Sequence, residues 1–155
     1  MDNKTFEIRK LASQDLAEFR SLIDLFNRVF EEAHPAFASD THIQKLLHSQ
    51  AFIALAAFVE NEVVGGLTAY ELPMYQKDSS EILLYDLAVK PEFQRRGIGK
   101  DLIRHMKDYC SRHGIQEFFV LAHEEDEHAV AFYRATGGKE ENVVNFLYES
   151  APAEE

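Results

Sequence analysis

Tyr85-Asp86-Leu87-Ala88-Val89-Lys90-Pro91-Glu92-Phe93-Gln94-Arg95-Arg96-Gly97-Ile98-Gly99-Lys100 reads as the end of a strand, a short loop and the start of a helix. Glu81 to Val89 is strand-like, and Lys90-Pro91 stops it because proline removes a ladder donor. From about Gly97 to His113 the residues Ile98, Leu102, Ile103, Met106 and Cys110 recur at helical spacing, and Gly114 is a natural stop. The loop between the two elements carries Arg95 and Arg96 and runs into Gly97 and Gly99. Free backbone N–H groups and the macrodipole at a helix start favour an anion. The glycines allow close approach of the backbone, and Arg95, Arg96 and Lys100 add positive charge. In an otherwise acidic chain this cluster calls for a phosphate. Two phosphate motifs are excluded: Gly99-Lys100 is followed by Asp101 where a P-loop has Ser or Thr, and Leu102 stands where a dinucleotide fingerprint has its third glycine.

Outward from this stretch, Phe6 to Leu11 predicts a short strand, and Ser13 offers the N-cap of a helix running to about His34-Pro35. Asp40 predicts the cap of a shorter helix with Ile43, Leu46 and Leu47. Phe52 to Val59 and Val63 to Leu72 flank Glu60-Asn61-Glu62 as a hairpin. Beyond the central helix, Glu117 to Ala122 predicts a buried strand, Asp126 to Ala135 a helix and Val143 to Tyr148 a final strand. Three successive strands imply an antiparallel meander, and the following strand–helix–strand crossover implies a parallel, right-handed pair. The expectation is one α/β domain over residues 1–155 with a mixed, mainly antiparallel sheet and a polar tail at about 150–155, not the doubly wound dinucleotide fold.

The chain has 155 residues, 16 Lys plus Arg and 27 Asp plus Glu, for a formal net charge of −11. That balance argues against nucleic acid and suits a cationic partner. The single cysteine, Cys110, excludes an intrachain disulfide, and on its helix stripe it reads as a core thiol. No signal-like start and no membrane-length apolar run stand out, so a cytoplasmic protein without a membrane partner is expected. His123 and His128 lie five apart and miss the zinc spacing, so no metal is expected. No Gly-x-Ser-x-Gly elbow occurs.

Gln94-Arg95-Arg96-Gly97-Ile98-Gly99 resembles the acetyl-CoA motif of the Gcn5-related N-acetyltransferase superfamily, Gln/Arg-x-x-Gly-x-Gly/Ala. Leu87-Ala88-Val89 before it, Ala131-Phe132-Tyr133-Arg134-Ala135-Thr136-Gly137 after it and the element order extend the resemblance over nearly the whole chain. It implies a sheet with helices on both faces, acetyl-CoA as co-substrate and cofactor contacts at Leu87, Ala88, Val89 and from Gln94 to Lys100. Val63 to Leu72 and Ser80 to Val89 further resemble aminoglycoside 3-N-acetyltransferases of the gentamicin-resistance type, whose substrates are polycations.

The resemblance places Tyr85 and Asp86 beside the substrate amine. Asp86 is then the first candidate to take the amine's proton, and its other reading is as a binder of a cationic ring. Glu81 is the second carboxylate of the strand; regular alternation puts 81 and 86 on opposite faces, so both reach one pocket only across a bulge. Leu87 and Val89 are expected to offer backbone groups to the pantetheine and the thioester carbonyl. Tyr133 is implied as the acid that protonates the leaving thiolate. Glu124 and its acidic neighbours form either a solvated loop or a rim that attracts a polycation. The combined expectation is direct acetyl transfer to the 3-amino group of an aminoglycoside. A polyamine or peptide amine as acceptor, and a non-catalytic acetyl-CoA module, are the alternatives. An exposed final strand makes a homodimer the expected assembly.

Overall fold

The meander anticipated above forms the centre of a five-stranded sheet ordered β1-β2-β3-β4-β5, and the computed structural model describes residues 5–35 and 37–152. The elements are β1 (Glu7–Lys10), α1 (Leu16–Val29), α2 (Asp40–His48), β2 (Phe52–Val59), β3 (Glu62–Pro73), β4 (Ser80–Val89), a single 3-10 turn (Pro91–Phe93), α3 (Ile98–Arg112), β5 (Phe118–Val120) and α4 (Glu127–Ala135). β1 to β4 are antiparallel in sequence, and β4 pairs with β5 in parallel. Glu60 and Asn61, at φ 49° and 68°, make the two-residue turn between β2 and β3 with the handedness that a twisted hairpin favours.

The sheet buries both faces. On one, Phe52, Ala54, Ala56 and Ala88 pack with Phe19, Leu22 and Phe26 of α1 and Ile43 of α2. On the other, Gly65 lies against Ile98 of α3, and Ile98, Leu102, Ile103, Met106 and Cys110 form the buried stripe that their spacing predicts. Burial pushes the Cys110 thiol up, which keeps it protonated in the core. Gly66 is where α1 comes closest: a Cβ there would lie 2.6 Å from both Leu22 Cδ1 and the Leu55 carbonyl oxygen. No described helix is long and apolar enough to cross a membrane.

Several boundaries differ from the sequence reading, each for a local reason. Asp15, not Ser13, starts α1: its carboxylate accepts from the Ala12 N–H at 2.7 Å and pairs with Arg9 at 3.0 Å. α1 stops at Phe30, well before His34-Pro35, because Glu31 turns left-handed at φ 52°. The Glu31 N–H then bonds the Arg28 carbonyl and the Glu32 N–H bonds the Asn27 carbonyl, the paired bonds that close a helix end. Ser39 caps α2 by accepting from the His42 N–H, and Asp40 is the first helical residue. β5 holds only Phe118–Val120 of the predicted Glu117–Ala122, since its ladder to β4 covers only those residues.

The chain divides into two compact units, Met1–Leu121 and Ala122–Glu155. In the second, Asp126 caps α4 by accepting from the Ala129 N–H at 3.0 Å. The final strand predicted at Val143–Tyr148 does not form: it has no ladder partner among the described residues, and Val143, Val144, Phe146, Leu147 and Tyr148 are exposed. A strand needs a neighbour for its backbone groups, and apolar patterning alone supplies none.

Gly66→Ala tests the close approach of α1. Filling contacts this short should destabilise the chain by about 1–3 kcal/mol, read as a lower urea midpoint at unchanged slope. An unchanged midpoint would mean that α1 does not sit on the sheet as described.

Candidate active site

β4 supplies the acidic part of the site through one irregularity. Thr68 of β3 pairs with Asp86, while its neighbour Ala69 pairs with Leu84, so Tyr85 is an extra, unpaired residue in β4. The bulge required for Glu81 and Asp86 to share a face is therefore present, at Tyr85. Asp86, opposite Thr68, faces α1 together with Ala88, and Glu81 and Leu83 face the same way beyond the bulge. Five residues of strand still separate the two carboxylates by roughly 15 Å, so they cannot serve one atom. Asp86 is the more central of the two, and Glu81 lies near the start of the strand.

The bulged Tyr85 is 61% exposed, and its ring meets the edge of Tyr70 with centroids 5.6 Å apart. Tyr70 in turn packs on Phe52 at 5.3 Å, tying this aromatic step to the core. Burial, then Tyr85 and Asp86, push the Tyr70 phenol up, so it stays a neutral hydrogen-bonding group. Asp86 is half-buried, and its carboxyl forms no hydrogen bond or ion pair with any described residue. Burial, and secondarily the charge of Glu32, push its carboxyl above the ordinary carboxylate range. Sequence reasoning misses Tyr70 as a neighbour of Asp86: it lies within the Val63–Leu72 stretch, but only the pairing of β3 with the bulged β4 brings it to Tyr85 and Asp86.

The other half of the site is an open strand edge that leads to a helix N-terminus. β4 bonds β5 only at Ile82, Leu83 and Leu84, leaving the remainder of that edge unpaired. The Lys90 N–H bonds Val64 of β3, and alternation then turns the backbone groups of Leu87 and Val89 away from β3, toward the open edge. The side chain of Ala88 is buried against α1. Gln94 Nε2 donates to the Val89 carbonyl at 3.0 Å, so this side chain holds the loop in place.

Two left-handed residues, Arg95 at φ 63° and Gly97 at φ 84°, then aim the chain into α3. A Cβ on Gly97 would meet nothing within 4 Å, so glycine is favoured there by its φ, not by crowding. Gly97 caps α3 without a side-chain bond, which leaves the first-turn N–H groups of Ile98, Gly99 and Lys100 without intrahelical partners. Arg95, Arg96 and Lys100 form no ion pair with any described residue, and Arg96 lies over the Phe93 ring at 4.9 Å. Uncapped amides and unspent cations fit a pyrophosphate.

The remaining predicted residues lie in the second unit. Tyr133 is half-buried on α4 with its ring 5.2 Å from that of Phe132, and its carbonyl accepts from the Gly138 N–H at 2.8 Å. Glu124 is exposed in the loop before α4. A cavity of about 550 Å³ between α1 and the β2–β3 turn contains none of the predicted site residues, and its Lys90 is already paired with Glu62. No group of three or more potential metal ligands occurs among the described residues.

The sequence pattern of the acetyltransferase (GNAT) family matches residues 19–137. Among solved structures, an aminoglycoside acetyltransferase, meta-AAC0020, from an uncultured soil metagenomic sample, in complex with sisomicin, is 40% identical with a TM-score of 0.92, covering 95% of this chain and 97% of that one. A second soil metagenomic aminoglycoside acetyltransferase, HMB0005, is 34% identical with a TM-score of 0.88, covering 95% of this chain and 100% of that one. The [ribosomal protein bS18]-alanine N-acetyltransferase of Salmonella typhimurium is 31% identical over 75 residues, 48% of this chain. The chain spans about half the length of that curated relative, 51%.

Asp86→Asn tests the unpaired carboxyl through stability. A carboxyl with a raised folded pKa stabilises fully only below its unfolded pKa, and that contribution is lost as pH rises through the folded value. At neutral pH the variant should therefore melt higher than the wild-type chain, with the gap closing as pH falls below the ordinary carboxylate range. A lower melting temperature at neutral pH would mean that Asp86 has a stabilising partner.

Proposed function

We propose, from the premise that the chain belongs to the acetyltransferase (GNAT) family, that it moves the acetyl group of acetyl-CoA directly onto an amine of an aminoglycoside. The observation that carries this is the arrangement along β4: an unpaired, half-buried Asp86 at the bulge, continuous with an open edge that ends at the uncapped N-terminus of α3. The 40% identity to a protein solved with sisomicin supports the acceptor class, as does the net charge of −11. The reading treats residues 1–155 as one cytoplasmic acetyltransferase domain and takes the 3-amino group as the position modified.

In this reading the amides of Ile98, Gly99 and Lys100, with Arg95 and Arg96, hold the pyrophosphate of acetyl-CoA. The backbone of Leu87 and Val89 orients the pantetheine and faces the thioester carbonyl, where an N–H stabilises the developing oxyanion. Asp86 binds the acceptor and takes the proton that leaves the attacking nitrogen, directly or through water. The amine nitrogen forms the new C–N bond, the tetrahedral intermediate breaks its C–S bond, and Tyr133 protonates the departing thiolate. Glu81 and Tyr85 contact other parts of the acceptor, and the acidic loop at Glu124 attracts it. The exposed row of Val143, Val144, Phe146, Leu147 and Tyr148 is assigned to a homodimer contact.

CoA thiol release should be rapid with gentamicin and slow with spermidine or a generic peptide, and NMR of the product should show the acetyl group on the 3-nitrogen. Turnover confined to spermidine or the peptide would sink the aminoglycoside reading, and acetylation at another nitrogen would sink the regiochemistry. Tyr133→Phe should lower kcat by about 100-fold with little change in either KM. Unaltered kcat would remove Tyr133 as the acid.

A further inference from the structure

Thr68 is a polar side chain set in an apolar row, and the row leads to Asp86. A Cβ on Gly66 would point at Leu22, so that face of β3 looks toward α1, and alternation puts Thr68 on the same face. Across the sheet Thr68 pairs with Ala54 of β2 and with Asp86 of β4. The register shift falls after Thr68, so Thr68 and Asp86 are the last regular pair before the bulge. The Lys90 N–H bonds the Val64 carbonyl, and counting in twos from that bond makes Thr68 and Asp86 a pair that exchanges backbone hydrogen bonds. Side chains opposed in this way share a face with their Cβ atoms about 5 Å apart, within mutual reach of a hydroxyl and a carboxyl.

Thr68 is only 6% exposed, and its hydroxyl bonds no described residue. No fully enclosed side-chain nitrogen or oxygen among the described residues lacks a partner, so the hydroxyl is the part of Thr68 that remains open. Ala54, 1% exposed, closes the β2 side and leaves the side of Asp86. Packing alone does not call for this residue: valine has the same branched shape, suits a strand and carries no hydroxyl to desolvate. The hydroxyl and the half-buried carboxyl of Asp86 therefore stand side by side, each with hydrogen-bonding capacity that the free chain does not use. Bonds to an ionised carboxylate are about twice as strong as neutral ones, so the hydroxyl gains most once Asp86 carries its charge. A cationic acceptor brings that charge about.

We propose that Thr68 is a positioning residue for Asp86: its hydroxyl donates to one carboxylate oxygen when the acceptor binds, which leaves the other oxygen to face the reacting nitrogen. The proton then passes from nitrogen to that free oxygen, directly or through water, while the threonine keeps its own proton throughout. The inference rests on the reading of Asp86 as the group that takes the amine's proton. Thr68 acts through Asp86 and contributes to turnover, not to the hold on acetyl-CoA.

The test is steady-state acetylation by the full-length chain, comparing wild type, Thr68→Val, Thr68→Ala, Thr68→Ser and Asp86→Asn, with gentamicin, spermidine and a generic peptide as acceptors. Thermal melts check that each variant is folded. With whichever acceptor turns over, Thr68→Val and Thr68→Ala should lower kcat about tenfold, the worth of one hydrogen bond to a charged group. The KM for acetyl-CoA should hold within about twofold, and Thr68→Ser, which keeps the hydroxyl, should stay within about threefold of the wild-type kcat. A Thr68→Ser as slow as Thr68→Val would overturn the proposal, since it would mark packing and not hydrogen bonding. A wild-type kcat in Thr68→Val beside an impaired Asp86→Asn would end the role of Thr68 and leave the reading of Asp86 standing. A wild-type kcat in Asp86→Asn, or turnover with none of the three acceptors, would end both.

Discussion

β4 is bonded to β3 along its whole length but to β5 over only Ile82, Leu83 and Leu84. Where the second ladder ends, the outer row of β4 backbone groups has no strand partner among the described residues, and of that row Gln94 holds the Val89 carbonyl. That row can exist only where water or a ligand satisfies it. In the proposed reading, the end of that ladder is where the acetyl-CoA lies along β4. Asp86, the amides of Leu87 and Val89 and the start of α3 all follow from it in chain order.

The bulge at Tyr85 acts on the opposite axis. One extra residue in β4 moves Glu81 and Leu83 to the face that carries Asp86 and Ala88, and turns a tyrosine outward. Without it, the acids would lie on opposite faces of the sheet. Asp86 then sits half-buried on the face toward α1, and no described residue gives it a counter-ion. Such a carboxyl raises the free energy of the free chain and is relieved by a cationic ligand. In the proposed reading, the same physical feature is a stability cost and a binding asset.

Much of this was legible in the sequence, for identifiable reasons. The α3 stripe from Ile98 to Cys110 is decided by periodicity that the packing obeys, and the Gln94–Gly99 stretch by residue types that only a tight, amide-rich loop needs. The meander was legible because β2 and β3 are joined by two turn-forming residues. The end of α1 was not: Glu31-Glu32-Ala33-His34 has no glycine to announce a left-handed stop, and helix-favouring glutamates carry the pattern past it. Val143–Tyr148 failed for a different reason, since its apolar composition speaks to burial but cannot name a strand to pair with. The bulge at Tyr85 was seen only as a condition on Glu81 and Asp86, because no residue type in the strand demands it.

The central claim is that β4 carries both substrates, acceptor at the bulge and acetyl-CoA along the open edge. A crystal structure of the chain with CoA and sisomicin tests it most directly. The account predicts the CoA pyrophosphate on the amides of Ile98, Gly99 and Lys100, the pantetheine beside Leu87 and Val89, and an amine nitrogen of the aminoglycoside within hydrogen-bond distance of the Asp86 carboxylate. An aminoglycoside bound away from Asp86, or CoA bound off the β4 edge, would contradict it.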